Sequence, residues 1–271
     1  MDTKLRVGFI AVGNMGGAIV RGVVRDLLPP DQVWITDVYR PLVDQLCEEL
    51  GVNSAENIPQ LVENVDCLLY AAKPNNVPDV FPDVAATLQS PSQWIISIAA
   101  GVSTTQLEYY FAPPPPPIVR VMPNIAASVG EAISAIAAGS TATPEHLAVT
   151  QAIFNAAGKS VVMEERHLNA VTGLSGSGPA FVFLFIEAFA DAGVQVGLTR
   201  PDAYQLALQT VLGACRMLEE TGEHPAVLKN QVTTPGGTTA AGLYALENGR
   251  LRAIIADAVG AATKRSEELA N

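Results

Sequence analysis

The sequence predicts an α/β chain in which a doubly wound, mostly parallel sheet is followed by an all-helical domain. Three observations carry this. Apolar runs of five to seven residues recur over the first 160 residues, each separated from the next by a segment of helical period. The first run enters a glycine turn from which a helix starts at once. Past residue 164 strand-like alternation all but ceases and helical patterns take over.

Taken in order, the expected strands cover 5–11, 33–37, 67–71, 94–98, 118–122 and 132–137. Helices are expected between them over 14–27, 42–50, 58–62, 77–88, 105–110 and 144–156. Strands separated by helices of this length favour parallel pairing. The later helices fall over 167–195, 201–221, 225–231, 239–247 and 251–269. The division is placed near residue 163, giving domains 1–163 and 164–271. In the second domain Phe181, Phe183, Phe185, Ile186 and Phe189 cannot share one face at 3.6-residue spacing, so a thick bundle or an obligate dimer is expected. Prolines 113 to 117 read as a stiff spacer.

The opening turn is Val7-Gly-Phe-Ile-Ala-Val-Gly-Asn-Met-Gly-Gly17, with Ala11, Gly13 and Gly16 in an Ala-x-Gly-x-x-Gly pattern. Gly13 lets the main chain approach a pyrophosphate, and the free amides of the new helix at Asn14, Met15 and Gly16 point at it. Three further strand ends carry small residues: Ala71-Ala72-Lys73-Pro74-Asn75, Ser97-Ile-Ala99-Ala100-Gly101 and Arg120-Val-Met-Pro-Asn124. Ligands of open α/β sheets sit beyond the carboxyl ends of the strands, and small side chains there admit a flat nicotinamide ring. Together these stretches point to a dinucleotide site of Rossmann type. Asp37 ends the second strand where a carboxylate meets the ribose 2′-hydroxyl of NADH, whereas Arg40 three residues on suits the 2′-phosphate of NADPH. Asn57 reads equally as a helix cap and as a ribose contact.

The helical domain holds one loop unlike the rest: Val232-Thr-Thr234-Pro-Gly236-Gly237-Thr238-Thr239-Ala240. Adjacent glycines and four threonine hydroxyls precede a helix, and its exposed amides make a carboxylate cradle that needs no arginine. Leu174-Ser-Gly-Ser177-Gly-Pro179 breaks or kinks an otherwise helical run, either for tight packing or to bring small groups to that cradle.

Composition narrows the alternatives. With 27 acidic against 16 basic residues, a net charge of −11 and no cationic block, nucleic acid is an unfavourable partner. The apolar run 179–185 meets Glu187 well short of a bilayer span, and no leader pattern precedes the first strand, so a cytoplasmic chain without membrane contact is expected. Cys47, Cys67 and Cys215 are scattered, and His146, His167 and His224 lack ligand spacing, so no disulfide framework and no metal are expected.

Over essentially its whole length the chain resembles the pyrroline-5-carboxylate reductases. The motifs that carry the likeness are the 8–16 turn, Ala72-Lys73-Pro74, Ser97–Gly101, Arg120–Asn124, Ser175-Gly-Ser-Gly-Pro-Ala180, Thr221-Gly-Glu-His-Pro225 and Thr234–Thr239. The resemblance implies reduction of a small cyclic imine carboxylate by NADPH, or by NADH, to L-proline. It implies a helical domain that interlocks with a partner's to form a dimer, and rings of dimers. It also implies that Gly13 to Gly16, Asn57, Ala72, Lys73, Pro74, Ala99, Ala100 and Gly101 contact the cofactor. Substrate would then lie on the 234–239 loop, with Thr239 reaching the ring nitrogen. The chain departs from the family pattern at Ala11, where glycine is usual, at Ile125-Ala126 in place of Thr-Pro, and at Thr233 and Thr234. Related hydroxyacid dehydrogenases use a lysine in the helix between domains, and residues 167–189 contain none. A reductase of another cyclic imine, or a dinucleotide-binding dimer without catalysis, stays open on sequence alone.

Overall fold

Successive residues of a strand point to opposite faces of a sheet, and here both faces are apolar. In the computed structural model, which describes residues 5–88, 90 and 92–270, β1 (Val7–Ile10) places Val7 and Phe9 in one core and Ile10 in another. The same alternation runs through β4 (Cys67–Tyr70) and β5 (Trp94–Ser97), with Cys67, Leu69, Trp94 and Ile96 on one side and Leu68, Tyr70 and Ile95 on the other. Strands buried on both faces read as unbroken apolar runs, the signature of parallel sheets. Helices α1 (Asn14–Asp26), α2 (Arg40–Leu50) and α6 (Pro144–Asn155) cover the first core. Helices α3 (Ile58–Glu63), α4 (Val77–Thr87) and α5 (Thr104–Glu108) cover the second.

The sheet has eight strands in the order β3-β2-β1-β4-β5-β6-β7-β8. β2 (Val33–Thr36), β1, β4, β5 and β6 (Ile118–Met122) are parallel, and β7 (Ala132–Ala138) runs antiparallel to β6. The first six strands therefore follow the 3-2-1-4-5-6 order of dinucleotide-binding sheets. Two strands go beyond the sequence expectation. β3 (Asn53–Ser54) is two residues long, too short to show a period. β8 (Gly158–Val162) is an edge strand that pairs parallel with β7 and whose side chains are largely solvent-facing. It starts at Gly158, with φ +150°, where a Cβ would lie 2.1 Å from the Ala132 carbonyl oxygen.

The chain divides into two compact units, residues 1–177 with 261–271, and residues 178–260. In the first, α7 (Leu168–Val171) leads into a π-helical turn, Thr172–Gly176, so the run expected as one helix over 167–195 is interrupted where its Ser-Gly-Ser-Gly-Pro stretch lies. The second unit is helical. It contains α8 (Gly178–Gln195), α9 (Arg200–Thr221), α10 (Pro225–Gln231), α11 (Thr238–Asn248) and the first half of α12 (Leu251–Ala270). α8 and α9 pack as an antiparallel pair so close that a Cβ on Gly193 would meet that of Ala203 at 2.9 Å. Among the described residues of this unit only Ala190, Ala203 and Ala207 are buried hydrophobics, while Phe183 and Leu184 are each 64% exposed. By length and composition alone the stretch Glu165–Gln195 is apolar enough to cross a bilayer, which the shorter 179–185 run did not suggest.

Candidate active site

β1 delivers the chain into the glycine turn. Ala11 donates its amide to the Thr36 carbonyl at 2.9 Å and takes φ +71°, a left-handed conformation that non-glycine residues seldom adopt. The departure at this position is therefore accommodated as backbone strain, with the turn intact. A Cβ on Gly16 would lie 2.2 Å from the Ala11 carbonyl oxygen, so only glycine lets α1 start this close to β1. Gly13 is the N-cap of α1 and makes no side-chain cap; no acidic residue sits in the first turn, and Gly13 and Asn14 are exposed. Amides at a helix start without a protein acceptor, under the positive end of the helix dipole, are what a phosphate binds.

Asp37 sits beside this turn. Its Oδ2 accepts from the Val12 amide at 2.8 Å and its Oδ1 from the Tyr39 amide at 2.9 Å. It is thus a strut between the end of β2 and the glycine turn. Arg40 heads α2 and donates through Nη1 to the Ala55 carbonyl at 2.9 Å, an oxygen that also accepts from Thr36 Oγ1 at 3.0 Å. Asn57 caps α3, its Oδ1 accepting from the Gln60 amide at 2.9 Å, which supports the capping half of its two readings.

The registers Ile10↔Tyr70 and Tyr70↔Ser97 bring the ends of β1, β4 and β5 abreast. Ala71 donates to the Ile10 carbonyl at 2.9 Å and Ile98 to the Tyr70 carbonyl at 3.0 Å, so the three turns share one rim. The Tyr70 hydroxyl, buried at the rim and with its pKa pushed up by desolvation, donates to the Lys73 carbonyl at 3.0 Å and shapes the 72–74 turn. Beyond β5, Ala99 donates to Ser97 Oγ at 3.3 Å and Gly101 takes φ +78°.

A cleft of about 340 Å³ opens on this rim, lined by Pro74, Asn75, Ala100, Gly101, Thr172, Ser177 and, from the end of α12, Arg265 and Ser266. It gathers three of the predicted cofactor positions and the predicted Ser177. Arg265, paired with Glu268 at 2.9 Å, and Thr172 were not foreseen. Nothing in the local pattern of α12 distinguishes Arg265 from a solvated helix charge. A hollow of about 370 Å³ beside the proline run, lined also by Tyr110 and Phe111, holds none of the candidate residues.

The threonine loop belongs to the second unit; Thr234, Pro235, Gly236 and Thr238 are exposed, and Thr233, Gly237 and Thr239 are half-buried. Gly236 takes φ +69°, and Gly237 donates to the Thr234 carbonyl at 3.0 Å. Gly237 is the N-cap of α11 without a side-chain cap, so Thr238 and Thr239 occupy a first turn whose amides have no capping side chain.

A 3-2-1-4-5-6 sheet, a phosphate-type turn and a cleft at adjoining strand ends define a protein of the dinucleotide-binding class. Residues 165–269 match the family model described as pyrroline-5-carboxylate reductase dimerisation, and residues 6–101 the one described as NADP oxidoreductase, coenzyme F420-dependent. The chain is 43% identical to a pyrroline-5-carboxylate reductase of Methanosarcina acetivorans over 97% of each chain. It is similar to the solved reductase of Coxiella burnetii, with a TM-score of 0.95 and 33% identity over 99% of each chain. It is also similar to that of Plasmodium falciparum, solved with NADP bound, with a TM-score of 0.86 and 28% identity over 99% of each chain. The chain belongs to the pyrroline-5-carboxylate reductase family. It is an NAD(P)H-dependent oxidoreductase, and it carries that family's dimerisation domain, to which the exposed apolar faces of α8 belong.

Proposed function

We propose that this chain reduces 1-pyrroline-5-carboxylate to L-proline, the last step of proline synthesis. The observation that carries this reading is the cleft that brings Pro74, Ala100, Gly101 and Ser177 together at the ends of β4 and β5. The residues present fit a dinucleotide: Gly16 is a position that a Cβ would fill, and the start of α1 is uncapped. Ala11, Gly13, Asn14, Met15 and Gly16 would hold its pyrophosphate, Asn57 its ribose, and Ala72, Lys73, Pro74, Ala99, Ala100 and Gly101 its nicotinamide half. When bound, NADPH or NADH supplies the hydride. The main-chain amides around Gly236, Gly237, Thr238 and Thr239 hold the substrate carboxylate, and Thr234 and Ser177 are read as further substrate-binding residues. Thr239 donates or accepts at the ring nitrogen as it becomes an amine. No His, Asp or Glu of these motifs serves as a dedicated acid, so the imine enters already protonated and the site acts mainly by orientation.

We read NADPH as the preferred donor. Asp37 already accepts from two amides of the turn, whereas Arg40 has donors beyond the one given to Ala55. The functional division is taken at residue 163, with 164–271 as the substrate-binding and dimerisation part, the dimer closing further into a ring of dimers in the cytoplasm.

The test is loss of absorbance at 340 nm with pyrroline-5-carboxylate, in parallel with NADPH and NADH. Imine-dependent oxidation, faster with NADPH, supports the reading. Folded, dimeric protein that oxidises neither overturns it in favour of another cyclic imine or a non-catalytic dimer.

A further inference from the structure

After β6 the chain passes through Pro123 to Asn124, whose backbone is still extended (φ −126°, ψ 169°). Alternation along an extended chain puts Arg120, Met122 and Asn124 on one face, away from Val119 and Val121 in the core. Each of the three meets the 165–177 segment. Arg120 Nη1 donates to Glu165 Oε1 at 3.1 Å, and Glu165 also accepts from the Thr104 amide and hydroxyl at 2.8 and 2.6 Å. The Met122 methyl stands 2.8 Å from where a Cβ on Gly176 would be. Asn124 Nδ2 donates to the Ser175 carbonyl at 3.1 Å.

The last contact has a local cause. The α-helical donor for the Ser175 carbonyl would be residue 179, a proline with no N–H. The chain goes through a π turn instead, in which the Ser177 amide reaches the Thr172 carbonyl at 2.8 Å. Asn124 is buried, supplies the missing donor, and is itself held from β7 by the Ile133 amide at 3.4 Å. Thr172 and Ser177, the two ends of the π turn, line the cleft with Pro74, Ala100 and Gly101.

We infer that Asn124 is a positioning residue for the hydride-transfer site: through the Ser175 carbonyl it fixes the π turn and so places Ser177 on the wall of the cleft. This rests on the reading of that cleft as the reaction site.

Asn124→Asp keeps an acceptor toward Ile133, removes the donor to Ser175 and sets a carboxylate oxygen against that carbonyl, so it breaks the contact. In the full-length protein, at a temperature where circular dichroism shows it folded, kcat falls about tenfold or more. NADPH affinity by fluorescence titration stays within about twofold, because the phosphate turn is untouched. Adding Pro179→Ala, which returns a main-chain donor to Ser175, restores part of the lost kcat. If Asn124→Asp does not fold, Asn124→Gln, with its donor on a longer arm, takes its place and the same kcat loss is expected. Unchanged kcat in a folded variant, or kcat and NADPH affinity lost in equal measure, overturns the inference alone. A wild-type chain that oxidises no NADPH with the imine overturns the functional reading, and this inference falls with it.

Discussion

The two units of the chain solve burial in opposite ways. The first encloses its strands between two apolar cores, with Phe9, Ile19, Ile35, Leu69, Phe81 and Ile95 essentially out of water. The second, among its described residues, buries three alanines and leaves the phenylalanines of α8 in the open. A helix that is apolar on several faces needs neighbours on several sides, and α9 covers only part of α8. The sheet unit therefore has a core of its own, whereas the helical unit, which lies within the stretch matched by the dimerisation family model, leaves apolar faces that self-association can cover.

The sharpest way to break this contrast is to charge the open faces. Phe183→Glu with Leu184→Lys removes four large apolar side chains per dimer at about 1.5 kcal/mol or more each. Light scattering should then show monomer where the parent is dimeric, with helix content lost from the second unit and the sheet unit still folded. A variant that stays dimeric would put the contact surface elsewhere.

Phe81→Ala probes the other side of the comparison. Phe81 packs edge-on to Tyr70 at 5.3 Å and is 1% exposed, so its truncation should cost the first unit about 3–5 kcal/mol. Unlike the α8 variant, this loss should be independent of protein concentration in chemical denaturation.

Thr239→Ala tests the loop that the helical unit contributes. Losing one hydrogen bond that tightens in the transition state should lower kcat about tenfold or more and leave NADPH affinity nearly unchanged. Unchanged turnover would remove Thr239 from the mechanism.

A smaller effect belongs to His146, in the capping box of α6, where Nδ1 accepts from the Thr143 amide at 3.0 Å and the ring tilts against Trp94 at 5.0 Å. Burial lowers its pKa below 6.5, so the unfolded chain takes up the proton first. Its contribution to stability is present above pH 6.5 and is lost as pH falls through the folded-state value. Urea melts from pH 7.5 to 5 should show that slope, and His146→Gln should flatten it.

Ala11→Gly should act least. Relief of the left-handed strain, about 1 kcal/mol, is offset by the freer unfolded chain, about 0.4–1 kcal/mol. A melting temperature within a few degrees of the parent checks this, and a large loss would show that the alanine methyl packs rather than strains.

Much of this was legible in the chain. Strand runs, the glycine turn and the small residues after β4 and β5 locate the rim because each is a local pattern with a local cause. The break at Ser175–Pro179 was equally readable, since proline removes a donor wherever it falls. What escaped was tertiary. β3 has too few residues for a period, and β8 joins the sheet by main-chain pairing with little apolar signal. Asp37 and Arg40 each look like ligand contacts, yet each also bonds the protein's own backbone. Arg265 enters the cleft from a helix more than 160 residues downstream of Gly101, which no spacing rule reports.

The most direct measurement is stoichiometry: NADPH oxidised at 340 nm against L-proline formed from pyrroline-5-carboxylate, quantified by amino-acid analysis. Equimolar amounts are predicted, with no oxidation when the imine is withheld. Oxidation of NADPH without proline would contradict the central claim.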